Sequence, residues 1–542
     1  IESTTADITV RGPLVSVAGV HSIATRPDAA GIFAEGHRVF VTSGEITTVD
    51  GPITLVSQED VGESTSAGVF VRNAIRSTGT GADAQAISIS SFGSTNSVGI
   101  RLQVGAILKT IDADINIDGQ GVSAGVELTG FTSIVSTGTG PSAGAINITG
   151  TGGDGGTTTG YGITADGNDT GVISTVDGNI ELRGTGGIGS SNSSSKGLWI
   201  RELSIESNSI SAGMGTITLI GQGGGDGATT STNYGVESRD VNITTVAGDV
   251  LIQGQGGAST GASNTGLLTA FTAVTSTGIG ANAGKITLEG TGGNGISPNG
   301  LQLSSETSLQ SRDGEIRLQG VGGTYDGVTT SHTWRSKGVL LLGQNISIAS
   351  TGVAPNAATI TIDGTGGGNT VLNNGIEMSS PNGVITSVHG DINFLGVGGN
   401  GNSRGIETYN WGEISSTGFG PDAATITYDG IGGGNQPGVF FDSLNGNYEY
   451  ALSSIDGDIT LKGAGVSPTI QTRISSNPGK GTIQSLGTGE HAADILIDGG
   501  DGALRLERDL TIKSQDGGIT LTGNGVEVRG LVVSCLLYSS PS

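Results

Sequence analysis

The sequence predicts an all-β chain folded as a single-stranded parallel β-helix, a β-solenoid. Three observations lead to this prediction. A short unit with a period-two apolar pattern recurs along most of the chain, glycine-rich turns separate its copies, and repeated helical periodicity is missing. Glycine accounts for 101 of the 542 residues and aromatic residues for 4%. Such a composition builds a poor globular core, whereas stacked repeats bury the apolar faces of one another.

The first form of the unit reads Ser136-Thr-Gly-Thr-Gly-Pro-Ser-Ala-Gly-Ala-Ile-Asn-Ile-Thr-Gly-Thr-Gly-Gly153. Its opening is typical of a turn, the alternation from Ala145 to Ile148 predicts a short strand, and the glycine-rich close predicts another turn. Further copies begin at Ser77, Ser276, Ser350, Ser416 and Ser485, and a shorter version begins at Ser211.

A second form alternates with the first and replaces the glycine loop by a tight Asp-Gly corner, as in Thr175-Val-Asp-Gly-Asn-Ile-Glu-Leu182. After most glycine-rich closes, a glycine is followed by an aliphatic residue, as at Gly125-Val126 and Gly300-Leu301. Each unit therefore contains about three short strands. We expect about 34 residues per coil, an alternating double repeat and about 15 coils. The glycines are expected to supply the positive-φ corners between the strands.

The alternation also has an electrostatic interpretation. The residue before the first core aliphatic is acidic or Asn in the Asp-Gly form, as at Asp114 and Asp458, but Ala, Lys or Thr in the other form, as at Ala145 and Thr425. Stacking in sequence would place the acidic side chains roughly 10 Å apart, near one Debye length in physiological salt. Adjacent like charges would thereby be avoided.

Three regions are expected along the chain. Residues 1–76 carry degraded copies and form N-terminal coils or a cap, residues 77–530 form the regular solenoid, and residues 531–542 form an atypical tail or cap. Because the sequence opens on Ile1, we interpret it as a processed or truncated piece.

Composition excludes several classes of function. The net charge is -25 and no basic stripe is present, so nucleic acid is not an expected partner. No apolar run is long enough to span a bilayer. The single cysteine, Cys535, rules out an intrachain disulfide framework and is compatible with a protein that folds outside the cell.

The repeated Ser-Thr-Gly-x-Gly-x-x-Ala-Gly-x-Ile-x-Ile unit resembles the β-strand repeats of filamentous-haemagglutinin-like large exoproteins and related giant bacterial surface adhesins. The resemblance covers nearly the whole chain, although the units here are longer than the short coils typical of that family. It implies a secreted or cell-surface right-handed β-helix of bacterial origin that is used as a stalk, fibre or adhesin.

Parallel β-helices also include enzymes that cleave polysaccharides, and acidic pairs occur here at Asp112 with Asp114 and at Asp456 with Asp458. Both pairs fall at repeat corners, where Asp favours turns, so we interpret them as structural and assign no catalytic residue. A cleft lined by clustered charges outside the corners would favour a glycan-processing enzyme or phage tailspike instead.

Two weaker binding hypotheses concern metals and aromatic residues. Calcium is the metal that the sequence suggests, because Asp154 and Asp226 lie in glycine-rich runs, although neither run continues as a calcium-binding repeat and surface loops are the alternative. No other cofactor is expected. Aromatic residues in the C-terminal half could stack on sugars or a partner, or could instead cover apolar corners of the solenoid. They are Tyr325, Trp334, Tyr409, Trp411, Phe440, Tyr448 and Tyr450.

The sequence thus predicts a non-catalytic extracellular solenoid that serves as a stalk, fibre subunit or surface-layer component. Because the end coils of a solenoid have unpaired strand edges, end-to-end self-association is the expected partnership. Surface glycans are the other candidate partners.

Overall fold

The computed structural model describes residues 2–3, 7–11, 14–16, 20–22, 31–58, 67–92, 97–130, 132–153, 159–188, 194–225, 232–259, 263–324, 335–353, 356–368, 372–443, 450–465, 468–474, 481–507 and 510–534. The chain divides into two compact units, unit 1 over Ile1–Gly266 and unit 2 over Leu267–Ser542. In each unit the chain repeats a coil of three strands, which we call first, second and third. Each strand pairs in parallel with the strand of the same kind in the next coil, which confirms the predicted all-β parallel solenoid.

Unit 1 is built from coils of this kind. Its first strands are Ile8–Arg11, Ile32–Gly36, Ile53–Ser57, Ile87–Phe92, Ile115–Gly121, Ile146–Gly152, Ile180–Thr185, Ile217–Gln222 and Val250–Gln255. Its second strands are Leu14–Ser16, Arg38–Val41, Ala67–Val71, Val98–Leu102, Ala124–Thr129 and Val236–Arg239. Its third strands are Glu2–Ser3, Val20–Ser22, Ile46–Thr48, Ala74–Ser77, Ile107–Thr110, Ser133–Ser136 and Asn242–Thr245. The strands Tyr161–Thr175 and Leu198–Ser207 each combine a second and a third strand.

Unit 2 repeats the same arrangement. Its first strands are Ile286–Thr291, Ile316–Val321, Ile360–Thr365, Ile392–Val397, Ile426–Ile431, Ile459–Ala464, Ile495–Asp498 and Ile519–Thr522. Its second strands are Leu267–Ala270, Leu301–Leu303, Val339–Leu342, Ile376–Ser379, Ile406–Tyr409, Val439–Ser443, Ile470–Ile474, Leu504–Leu506 and Val526–Val528. Its third strands are Ala273–Ser276, Ser308–Ser311, Ser347–Ser350, Val384–Ser387, Glu413–Ser416, Tyr450–Ser454, Gly481–Ser485, Leu510–Ser514 and Leu531–Ser534. A 3-10 turn covers Gly280–Asn282, and the described residues contain no α-helix.

The cores consist of aliphatic ladders. In the first strands of unit 1, Ile146 pairs with Ile180 and Ile148 pairs with Leu182, and all four side chains are buried. Fully burying one such side chain contributes roughly 1.5–3 kcal/mol relative to leaving it exposed. A slip of one residue between coils would expose the entire ladder, so the apolar alternation fixes the register.

A second interior ladder is polar. The third strands from Ile46–Thr48 through Leu510–Ser514 end in a buried Ser or Thr, and within each unit successive residues of this kind pair, as Ser136 does with Thr175. The Ser136 hydroxyl donates a hydrogen bond to the carbonyl oxygen of Ile111 at 2.9 Å. The serine of the Ser-Thr-Gly opening is therefore an interior residue as well as the start of a turn.

Glycines have two uses, of which the sequence predicts only one. Gly140 in the Ser-Thr-Gly-x-Gly loop has φ +76°, which confirms a positive-φ corner. Gly150 in the glycine-rich close has no such φ. A Cβ there would lie 2.2 Å from the carbonyl oxygen of Gly162, because first and second strands approach each other backbone to backbone at this edge. The prediction that the glycine-rich close forms a turn is wrong here, because Gly150 and Gly152 continue the strand Ile146–Gly152.

The described part of the chain has more coils than expected. Nine first strands in unit 1 and eight in unit 2 compare with about 15 predicted coils. The excess arises at the start of the chain, where the first strands beginning at Ile8, Ile32 and Ile53 follow one another closely. These early coils pair in register with the regular ones, as Ile53 does with Ile87.

Candidate functional site

The predicted aromatic residues divide between the interior and the surface. Tyr325, Trp334 and Tyr448 lie outside the described residues. Trp411, Phe440 and Tyr450 are 1%, 3% and 4% exposed, so the side chains of all three are buried. Tyr409 is half-buried and lines a cavity. Of the predicted aromatic residues that the structure describes, only Tyr409 keeps a place on a concave surface.

The buried rings form part of the core of unit 2. Phe394 stacks on Tyr428 with 4.4 Å between ring centroids, and Phe441 stacks on Tyr450 at 5.4 Å. Burial raises the pKa of both the Tyr428 and Tyr450 phenols, which therefore stay neutral across the physiological range. The rings stack in the way that aliphatic ladders do elsewhere, and they present no face to a ligand.

The acidic pair Asp112 and Asp114 bonds to the backbone of both neighbouring coils. Asp112 accepts a hydrogen bond at 2.6 Å from the N–H of Gly81 in the preceding coil. Asp114 accepts one at 2.8 Å from the N–H of Ala145 in the following coil. Each carboxylate is thus engaged with backbone, which supports the structural interpretation over a catalytic pair.

The backward bond recurs at five corners and is called here the corner clamp. It joins Asp112 to Gly81, Asp177 to Gly140, Asp313 to Gly280, Asp456 to Gly420 and Asp516 to Gly489, at 2.6–2.8 Å. The residue two positions after the clamp position accepts a bond from a backbone N–H of the following coil. Asn179 accepts from Thr216, Asp391 from Thr425 and Asp458 from Asp494. An Asp-Gly coil therefore holds a coil on each side of it.

Two corners lack both partners of the clamp. Ser211 stands where the other loops have the glycine donor, and the next corner has Ala247 instead of Asp. The Ala247 N–H bonds to the Ser209 carbonyl as the Asp177 N–H bonds to that of Gly138, so the positions are equivalent. In the sequence, Ala354 and His389 replace the same pair. At each of these two corners, the glycine and the Asp are both replaced.

The electrostatic interpretation of the alternation needs correction. Asp458 and Asp494 occupy the same position in successive coils, and Asp458 accepts a hydrogen bond from the Asp494 N–H at 2.9 Å. Acidic side chains are therefore not always separated by a neutral coil. Hydrogen bonding to the backbone of the neighbouring coil accounts for the recurring carboxylates more directly than charge spacing does.

A charged cluster outside the corners was missed by sequence analysis. In the second strands of unit 2, the residue before the glycine and the residue after the aliphatic form two outward rows. These rows place Lys337 near Glu377 and Arg404 near Glu407, and Glu377 pairs directly with Glu407 in the parallel register. Aligning Ser336-Lys-Gly-Val339 with Asn373-Asn-Gly-Ile-Glu377 by repeat phase would have revealed it.

The cluster is buried and extensively hydrogen bonded. Lys337, Glu377 and Glu407 are 6%, 7% and 8% exposed, and Asn374 is fully buried. Glu377 pairs with the Lys337 ammonium through one oxygen and accepts from Asn374 Nδ2 at 3.0 Å through the other. Asn374 Nδ2 also donates to Glu407, which pairs with Arg404. The Arg404 guanidinium lies over the Phe440 ring at 3.8 Å.

This cluster borders a cavity of about 520 Å³ on unit 2. The lining includes Arg335, Lys337, Glu377, Arg404, Glu407, Tyr409 and Asp442. Burial raises the pKa of the Glu407 carboxyl, and the adjacent Glu377 charge raises it further, against the opposing effect of Arg404. The Glu407 carboxyl therefore holds its proton to a higher pH than an exposed glutamate does.

Unit 1 contains a related but simpler site. Lys196 pairs with Glu237 and lies 5.8, 5.4 and 5.5 Å from the ring centroids of Tyr161, Trp199 and Tyr234. Burial raises the pKa of both tyrosines, and Glu237 adds to the effect. The lysine is thus surrounded by aromatic faces and one carboxylate.

The described residues form neither a cluster of metal ligands nor a helix that could cross a membrane. There, no group of three or more His, Cys, Asp or Glu is placed to hold a metal ion. Asp154 and Asp226, the candidate calcium ligands, lie outside the described residues, and calcium binding stays a prediction. Within the described ranges, no helix is long and apolar enough to cross a membrane.

Comparisons with protein-family models, with curated proteins and with solved structures find no match. The resemblance to haemagglutinin-like exoproteins therefore stays a prediction.

Proposed function

We propose that this chain is a non-catalytic structural or adhesive element outside a bacterial cell, as a stalk, fibre subunit or surface-layer component. The observation that supports the proposal is the repeated tie between coils. Five corner clamps and the forward bonds add charge-assisted hydrogen bonds to the parallel ladders. Such ties resist separation of neighbouring coils, which is what a stalk or fibre requires.

Self-association end to end is the form of assembly that we propose, because every solenoid ends in unpaired strand edges. Electron microscopy of the purified native material, with and without a calcium chelator, tests it. Continuous filaments with an axial repeat near one chain length are the expected result. Discrete particles at all protein concentrations would contradict assembly, and filaments that dissolve with chelator would add calcium to the proposal.

The charged cavity favours a second candidate function, the binding or cleavage of a glycan. Glu377 and Glu407 are adjacent carboxyls, burial raises the pKa of Glu407, and Tyr409 lines the same cavity. Glycoside hydrolases typically use two carboxyl groups, one of which acts as the general acid. Release of reducing ends from bacterial polysaccharides, lost in Glu407→Gln and retained in the corner variant Asp112→Asn, would support it. No release and no binding by wild-type protein would exclude it.

A further inference from the structure

The buried cluster of unit 2 brings together an amine, a carboxamide and two carboxyls. Lys337 Nζ and Asn374 Nδ2 contact the two oxygens of one carboxylate, that of Glu377. The lysine and the asparagine are thus neighbours in two successive coils. The backbones of these coils are also joined, because the Gly338 N–H donates to the backbone carbonyl oxygen of Asn374. Rotation about the four-carbon stem of Lys337 would carry its nitrogen from the carboxylate toward Asn374 Cγ.

The amide is held in a way that favours attack on its carbon. Asn374 Oδ1 accepts a hydrogen bond from the backbone N–H of Arg404 at 3.0 Å. A backbone donor at this oxygen stabilises the negative charge that develops there when a nucleophile adds to Cγ. Asn374 Nδ2, the atom that would leave, contacts Glu377 and Glu407. Nucleophile, electrophile and proton carriers are therefore all within one water-poor site.

From these contacts we propose that Lys337 and Asn374 join through an isopeptide bond that covalently links two successive coils. The proposal goes beyond the structural function and does not depend on it.

The reaction balances without an oxidant or cofactor. Lys337 Nζ gives a proton to Glu377 and attacks Asn374 Cγ, so that a C–N bond forms. The Cγ–Nδ2 bond then breaks, and the departing nitrogen takes its protons through Glu377 and Glu407. An ammonium and a carboxamide thereby become a secondary amide and an ammonium ion. The raised pKa of Glu407 suits it to supply a proton to the leaving nitrogen.

Unit 1 provides a matched internal control. The Ser195 N–H bonds to Asn233 Oδ1 at 2.9 Å, as the Ser336 N–H bonds to Asn373 Oδ1 at 2.8 Å, so the two sites share one phase of the repeat. Lys196 and Glu237 correspond to Lys337 and Glu377. The position of Asn374 is occupied by Tyr234, whose side chain has no carbonyl group to attack. We therefore expect Lys196 to stay unmodified.

Peptide mapping of the full chain tests the proposal. Trypsin does not cut after a modified lysine, so the linked protein should yield the peptide from Ser336 to Arg404, lighter by one ammonia, about 17 Da. Cleavage before Asp363 should then open the loop into two chains joined by the isopeptide bond. Cutting after Lys337, with Asn374 unmodified, would overturn the proposal.

Two variants separate the bond from other losses of ammonia. The Asn374-Gly375 sequence can form a succinimide, which is also lighter by one ammonia but does not involve the lysine. Lys337→Arg keeps the positive charge beside Glu377 and should restore the full mass. Glu377→Gln keeps both reacting groups and should reduce the linked fraction at least tenfold, given the usual contribution of a general base. A mass loss that persists in Lys337→Arg would show a succinimide and overturn the proposal.

Discussion

Two edges of the same coil use glycine for different reasons. At the edge between first and second strands, a Cβ on Gly150 would lie 2.2 Å from the Gly162 carbonyl oxygen. At the corner between third and first strands, Gly140 has a φ of +76° and a Cβ there would meet nothing within 4 Å. Close approach of two backbones requires the first glycine, and backbone conformation requires the second. The corner depends in addition on a carboxylate from the next coil.

The largest expected effect is at the close-approach edge. Gly150→Ala should lower the free energy of unfolding by about 3 kcal/mol, because the methyl group forces two backbones apart. Gly140→Ala should cost only about 1 kcal/mol, the strain of a left-handed alanine. Urea denaturation followed by circular dichroism measures both. Equal losses for the two variants would contradict the distinction between the edges.

Removal of one clamp should have the next largest effect. In the wild-type protein the Gly140 N–H donates to Asp177 at 2.7 Å. Asp177→Ala removes this acceptor and should lower the free energy of unfolding by about 1–2 kcal/mol. Asp422→Ala is the control, since this aspartate is exposed in a glycine loop and should change stability by less than about 0.5 kcal/mol. Similar losses in both variants would mean that the clamp adds nothing beyond surface charge.

Construction of a missing clamp should have a smaller effect. Ser211→Gly and Ala247→Asp together restore the donor and acceptor found at the other corners. We expect a favourable coupling of about 1 kcal/mol in a double-mutant cycle, with little or no gain from either change alone. Strictly additive effects would show that the joint loss of glycine and Asp in this corner has another cause.

The smallest expected effect is a pH dependence at Asp498. Hydrogen bonds from the Gly500 N–H and the Thr522 hydroxyl hold the pKa of this exposed carboxyl below its usual value. A lowered pKa contributes stability above the unfolded-state value of about 3.9, which is lost as pH falls through the folded-state pKa. The unfolding temperatures of wild type and Asp498→Asn should therefore converge as the pH falls through the folded-state pKa of Asp498. A constant difference between them would contradict this.

Much of the fold could be predicted from local sequence patterns. Alternation such as Ile146-Asn-Ile148 predicts a strand with one buried face, and Asp-Gly predicts a corner, because both are properties of a few consecutive residues. The parallel stacking followed from the repetition itself, and the structure confirms it.

Features that depend on contact between coils were not predicted. The close approach of Gly150 to Gly162 and the clamp from Asp177 to Gly140 join residues of different coils or strands, and neither residue alone indicates its partner. The Lys337 cluster was missed for the same reason. Within its own coil, no member of the cluster follows a recognisable motif. The members are seen to form a site only when the successive coils are aligned by repeat phase.

Amide hydrogen exchange at Gly140 tests most directly whether carboxylates tie successive coils together. In wild-type protein this N–H donates to Asp177 of the following coil. In Asp177→Ala we predict that Gly140 exchanges about tenfold faster, the equivalent of about 1.4 kcal/mol. Ser211, in a loop that lacks the clamp, should keep its rate. An unchanged exchange rate at Gly140 would contradict the clamp. It would also contradict the explanation that the two forms of the repeat alternate because each Asp-Gly coil holds the coils on either side of it.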